Sequence, residues 1–166
     1  GQGLGRQLLE AALSDGTPAY LFAKRKDLYE EVGFCVVDSV VRGTFAPTAH
    51  SVEDPLTFDE VQDIYTAWSE SEESRLRRDS QRWAYWKWHL RLCDRFGTGY
   101  VCREPGMIRE AIRGEGEWPV ATNEEFFGLA SMAERLQLPL ASTEHDMYLM
   151  ALGTDRVPQM FLTDQF

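Results

Sequence analysis

The sequence predicts an α/β fold, and three observations carry that prediction. Runs of strand length alternate with segments of helical period from Gly1 to Phe45. A complete helix-start signature stands at Thr57–Glu60. Nine Phe, six Tyr and five Trp in 166 residues supply large apolar anchors, enough for one substantial core or two small units sharing one.

Taken in order, Leu8, Leu9, Ala12 and Leu13 recur at helical spacing, which predicts a helix from about Leu4 to Leu13. Asp15-Gly16-Thr17-Pro18 stops it with turn chemistry. Ala19–Ala23 is a short apolar run consistent with a buried strand. After the basic turn Lys24-Arg25-Lys26, Asp27 is a plausible N-cap for a short helix reaching Val32. Gly33 ends that helix in C-cap fashion, and the valine-rich run Phe34–Val41 reads as a second strand.

From Ala46 to Pro55 the composition shifts to Pro, Thr, Ser, His and acids and reads as a connector. Thr57 and Glu60 form a capping box, behind which Val61, Ile64, Tyr65 and Trp68 recur at helical spacing. Ser69–Ser74 breaks the period. A further helix is expected over Arg82–Leu92, then a turn at Arg95–Thr98. Gly99–Arg103 and Met107–Ile112 flank Pro105-Gly106 as a hairpin. Asn123 is read as the cap of a helix holding Phe126, Phe127, Leu129, Ala130, Met132, Ala133 and Leu136. Met147–Leu152 reads as a last strand and Pro158–Phe166 as an irregular tail. The expected division is therefore residues 1–45, a connector over 46–56, and a second α/β unit over 57–166.

The net charge of −10 argues against general binding to nucleic acid or an anionic membrane surface, and is compatible with cationic substrates or simple solubility. Three cysteines, Cys35, Cys93 and Cys102, show no metal-ligand spacing, so no metal is expected. Cys35, inside the apolar run Phe34–Val37, reads as a small core residue. Reduced thiols suit a cytoplasmic protein. No apolar run approaches the ~20 residues of a membrane-spanning helix.

Gly1-Gln2-Gly3-Leu4-Gly5-Arg6 opens the chain on the threshold of the first helix. Glycines let the backbone approach an anion closely, and the helix start adds free N–H donors, so the loop suits phosphate as well as it suits a tight turn. A strand normally delivers the chain to such a loop. None precedes Gly1, and the sequence is expected to lack its front part.

One strand and one short helix downstream stands Leu28-Tyr29-Glu30-Glu31-Val32-Gly33-Phe34. With the glycine loop, this resembles the GCN5-related N-acetyltransferase (GNAT) superfamily. Those proteins bind acetyl-CoA with a (Gln/Arg)-x-x-Gly-x-(Gly/Ala) loop and carry a later Tyr-x-x-x-Gly-Phe segment. Gly3 and Gly5 match the two small positions, and the leading Gln or Arg would lie one residue before Gly1. Tyr29, Gly33 and Phe34 match the later segment. The resemblance covers roughly Gly1 to Phe45 and implies a GNAT-like fold of α+β character, a mixed sheet with helices, present as the C-terminal half of its acetyl-CoA-binding domain.

It further implies that the backbone N–H groups of Gln2, Gly3, Leu4, Gly5 and Arg6 hold the CoA pyrophosphate. Tyr29 is implied as the general acid that protonates the departing thiolate. Acetyl-CoA is then the co-substrate, and a small-molecule or peptidyl amine the acceptor; a homo-oligomer is compatible with this. Read without the resemblance, Tyr29 is foremost an aromatic packing a short helix to the sheet; with it, the two roles stand about even. Residues 57–166 are similar to the second acetyltransferase-like unit of the Eis-like bacterial enzymes. The run Pro158–Phe166 resembles their short tails, whose terminal carboxylate that likeness implies as the base.

His50, His89 and His145 form no recognisable triad and read as surface or packing residues. Glu144 and Asp146 flank His145 as a solvated turn would. Arg75, Arg77, Arg78, Arg82, Lys87, Arg91 and Arg95 are interleaved with Trp83, Tyr85, Trp86 and Trp88. Such a stretch can stack single-stranded nucleic acid, form an interface, or bury its Trp face beneath Arg stems; the acidic balance favours the last. A non-catalytic module for partner contacts is the alternative function.

Overall fold

The computed structural model describes residues 7, 9, 11, 13, 14, 16–46, 54–89, 91–121 and 124–165. Its framework is a seven-stranded mixed sheet. The strands are β1 (Ala19–Ala23), β2 (Cys35–Phe45), β3 (Leu92–Phe96), β4 (Gly99–Glu104), β5 (Met107–Ile112), β6 (Glu125–Leu129) and β7 (Leu140–Leu152). The spatial order is β1-β7-β2-β6-β5-β4-β3, antiparallel throughout except where β5 lies parallel to β6. Helices α1 (Asp27–Glu30), α2 (Phe58–Glu70), α3 (Ser80–Trp88) and α4 (Ala130–Leu136) complete the mixed α/β architecture.

β1 and β2 follow each other in sequence yet do not touch as neighbours. β7, from the far end of the chain, runs between them and pairs antiparallel with both, Leu21 opposite Met150 and Val36 opposite the same residue. β2 continues on its other edge into β6, Val41 opposite Gly128. One large apolar core is built from β2–β7 together with α2, α3 and α4. A smaller cluster of Ala23, Phe34 and Met150 lies at the β1 end and takes in Leu9, Leu13, Tyr29 and Tyr148.

The capping box forms as the sequence predicts: Thr57 N donates to Glu60 Oε2 at 2.9 Å, and Glu60 N to Thr57 Oγ1 at 3.4 Å. β1 and the β4–β5 hairpin also occupy their expected places. Of the helix expected over Leu4–Leu13, residues 7, 9 and 11 are helical, and the rest lies outside the described residues.

Other expectations are corrected. Asp27 does not cap α1; Lys26 holds that position without a side-chain hydrogen bond, while Asp27 pairs with Arg25. Phe126, Phe127 and Leu129 belong to strand β6 rather than a helix. Two adjacent phenylalanines and a glycine suit a pleated surface, and backbone pairing with β2 and β5 overrides the helical period, which holds only from Ala130. Asn123, read as that helix's cap, lies outside the described residues. α3 starts earlier, capped by Asp79 through Arg82 N at 2.8 Å, and ends at Trp88, so Leu92 opens strand β3. β7 begins at Leu140, because its first half is exposed and polar and carries no apolar signal. Cys35 is exposed: Phe34, 3% exposed, takes the inward position and turns Cys35 outward.

Candidate functional site

Tyr29 lies on α1, the single turn that follows β1. The turn closes when Gly33 takes φ +98°, so that Gly33 N reaches Glu30 O at 3.0 Å and Phe34 N reaches Tyr29 O at 3.1 Å. A left-handed backbone of this kind suits glycine, which has no Cβ to clash. The reversal drops Phe34 into the small core and sets its ring edge-on to Tyr29, centroids 6.2 Å apart. Tyr29 is thereby half-buried, with one face on the Ala23–Phe34–Met150 cluster. Among the described residues, no side-chain hydrogen bond engages its hydroxyl. The surroundings are charged and exposed: Arg25 pairs with Asp27 at 2.5 Å and Lys26 with Glu30 at 3.4 Å. The ring is thereby held in place, and its hydroxyl, like any phenol, has one donor proton and acceptor lone pairs.

Gln2, Gly3, Leu4, Gly5 and Arg6 lie outside the described residues, as do His50 and Phe166. His89 and His145 are exposed, His145 stacking on Tyr148 at 4.3 Å. Among the described residues, no group of three or more His, Cys, Asp or Glu side chains could hold a metal ion. Nor is any described helix long and apolar enough to cross a membrane.

The basic and aromatic stretch resolves into a buried ionic cluster that sequence reading did not find. Arg78, with a side chain 0% exposed, donates from Nε to Asp164 Oδ1 at 2.6 Å. It donates from Nη1 and Nη2 to the two oxygens of Glu110 at 3.1 and 2.7 Å. Trp86 Nε1 donates to Glu110 at 2.9 Å, and the hydroxyls of Tyr100 and Thr163 donate to the same carboxylate. The guanidinium also lies over the rings of Tyr65 at 3.8 Å and Trp83 at 4.8 Å. Trp83 and Trp86 are thus buried, with Arg91 over Trp86 and Lys87 over Phe58 covering the edges. Trp88 is the exception, 84% exposed, and Leu92 at the start of β3 is 74% exposed.

One cation among two carboxylates shapes their titration. Burial pushes the Asp164 carboxyl up, and the Arg78 charge does not fully reverse it. Burial acts on Glu110 in the same sense, but there the charge and hydrogen bonds of Arg78, with those of Thr163 and Tyr100, hold the carboxyl below its usual range. Burial and the Glu110 charge push the Tyr100 phenol well up. The cluster is closed to solvent and braces three distant segments: the α2–α3 linker, β5, and the tail at Phe161–Asp164. The signal that could have found it is Glu110, an acid between Ile108 and Ile112 at an inward position of β5.

No protein-family model matches the chain, and no curated protein matches it.

Proposed function

We propose that the chain is an acetyl-CoA-dependent N-acetyltransferase, with Tyr29 as the general acid. The observation that carries this is the α1 reversal. Gly33 at φ +98° and buried Phe34 hold a half-buried phenol directly after an edge strand, in the segment that resembles the superfamily's Tyr-x-x-x-Gly-Phe. In the proposed reaction a neutral amine attacks the thioester carbonyl carbon. Backbone amides stabilise the oxyanion, the C–S bond breaks as Tyr29 passes its proton to the leaving sulfur, and the proton lost by the nitrogen as the amide forms passes through solvent to restore the phenol. The loop Gln2–Arg6 holds the pyrophosphate of the co-substrate in this proposal.

Tyr29→Phe keeps the ring and removes only the proton. It is expected to lower acetyl transfer by about 10²-fold or more while leaving acetyl-CoA affinity within about twofold, as measured by steady-state kinetics and calorimetry. Gly3→Asp or Gly5→Asp is expected to abolish acetyl-CoA binding with folding intact. Unchanged turnover in Tyr29→Phe sinks the acid role, and unchanged binding in the glycine variants sinks the loop role.

A second reading, a non-catalytic module for partner contacts, rests on Trp88 and Leu92, large apolar side chains that are 84% and 74% exposed. Absence of binding heat and of thermal shift with millimolar acetyl-CoA would favour it.

A further inference from the structure

β3 and β4 join through the two-residue turn Gly97-Thr98, which makes Phe96 and Gly99 the closing pair. Hydrogen-bonded and non-hydrogen-bonded pairs alternate along an antiparallel ladder. Counting from that turn, Arg95 opposite Tyr100 is non-hydrogen-bonded, Asp94 opposite Val101 hydrogen-bonded, and Cys93 opposite Cys102 non-hydrogen-bonded again. The outer edge of β3 agrees: Cys93 O accepts from Leu56 N, and Arg95 N donates to Asp54 O, both at 2.8 Å. Those groups point away from β4. Opposed residues in a non-hydrogen-bonded pair have Cα atoms about 4.5 Å apart and side chains on the same face. That spacing lies within the range of about 4.4–6.8 Å that a disulfide spans.

We propose that Cys93 and Cys102 are a cross-strand thiol pair that closes to a disulfide when a hydroperoxide reaches it. The peroxide O–O bond breaks as Cys93 sulfur takes one oxygen to become a sulfenic acid, with water or the alcohol as co-product. Cys102 sulfur then attacks Cys93 sulfur, the S–O bond breaks, and the second oxygen leaves as water with the Cys102 proton. Two thiols lose two electrons and two hydrogens, and the peroxide gains both.

The order follows from position. Cys93 is on the sheet's edge strand, shielded on that side by the segment Asp54–Leu56, whereas Cys102 is one strand further in and 1% exposed. Edge pairing opens at lower free energy than pairing inside a sheet. Burial pushes the Cys102 thiol well up, which makes it the poorer nucleophile toward the peroxide and leaves the first step to Cys93. The next residue in the same cross-strand row is Glu110, opposite Cys102 on β5, so the bond would form beside the Arg78 cluster.

The test uses the native chain carrying Cys35→Ser, which removes the exposed third thiol. After treatment with hydrogen peroxide and quenching, thiols are counted in denaturant, and a tryptic digest is analysed without reductant. Trypsin cuts after Arg95, so the bond links Leu92–Arg95 to Phe96–Arg103, two hydrogens lighter than the separate peptides. The expected result is a fall from two thiols to none in monomeric protein, with that linked pair and reversal by reductant. Two surviving thiols would overturn the proposal, and so would sulfinic or sulfonic products without the linked peptides.

Discussion

Replacing Arg78 with methionine keeps most of the side-chain volume and removes the only cation that contacts Glu110 and Asp164 among the described residues. Both carboxylates are left in a site 0–2% exposed, where water cannot take over. Removing one partner of a buried ion pair costs about 3–5 kcal/mol, because the remaining charge is uncompensated. Loss of the stacking on Tyr65 at 3.8 Å adds to this. Domains have about 5–15 kcal/mol in total, so Arg78→Met is expected to consume a large share of it. The thermal midpoint should fall by roughly 6–20 °C, taking about 2–4 °C per kcal/mol at this chain length. Thermal unfolding measures that shift and urea titration the cost in free energy, both followed by tryptophan fluorescence with Trp83 and Trp86 beside the cluster as reporters. Adding Glu110→Gln and Asp164→Asn to Arg78→Met removes the stranded charges and should recover part of the loss. A cost below about 1 kcal/mol for Arg78→Met alone would refute the view that the ions, rather than the surrounding rings, hold the tail.

The same cluster sets a pH dependence. Asp164 titrates above its usual range in the folded chain, so stability is full below the ordinary Asp value and declines as pH rises through the folded one. Glu110 titrates below its usual range, so its contribution is present above the ordinary Glu value and is lost as pH falls through the folded one. Urea midpoints against pH should therefore lose their high-side decline in Asp164→Asn and their acid-side decline in Glu110→Gln; slopes identical to the parent would contradict this. Thr57→Ala removes the cap of α2 and should cost about 1 kcal/mol in the same titration. Gly33→Ala forces a side chain into φ +98° and places a Cβ 3.3 Å from Leu152 Cδ1. It should cost about 1–2 kcal/mol, and no change in the urea midpoint would show that α1 relaxes freely.

The Tyr29 segment and its reversal were legible before the structure, because Tyr29, Gly33 and Phe34 are close neighbours and the conformation of Gly33 is a local demand. The capping box at Thr57 and the hairpin at Pro105-Gly106 were legible for the same reason: each is decided by contacts within a few residues. Helical spacing misled at Phe126–Leu129, since period alone cannot say whether an apolar run will find strand partners.

By itself the sequence determined the mixed α/β character, the placement of β1, α1 and α2, and the motif that motivates the functional proposal. Only the tertiary structure decided that β7 separates β1 from β2, that Phe34 displaces Cys35 from the core, and that Cys93 faces Cys102. It alone gathered Arg78, Glu110 and Asp164 into one closed site. Local elements are fixed by hydrogen bonds and dihedral preferences between near neighbours. Strand order and buried charge pairing depend instead on which distant surfaces exclude water together, and no short stretch of sequence contains both partners.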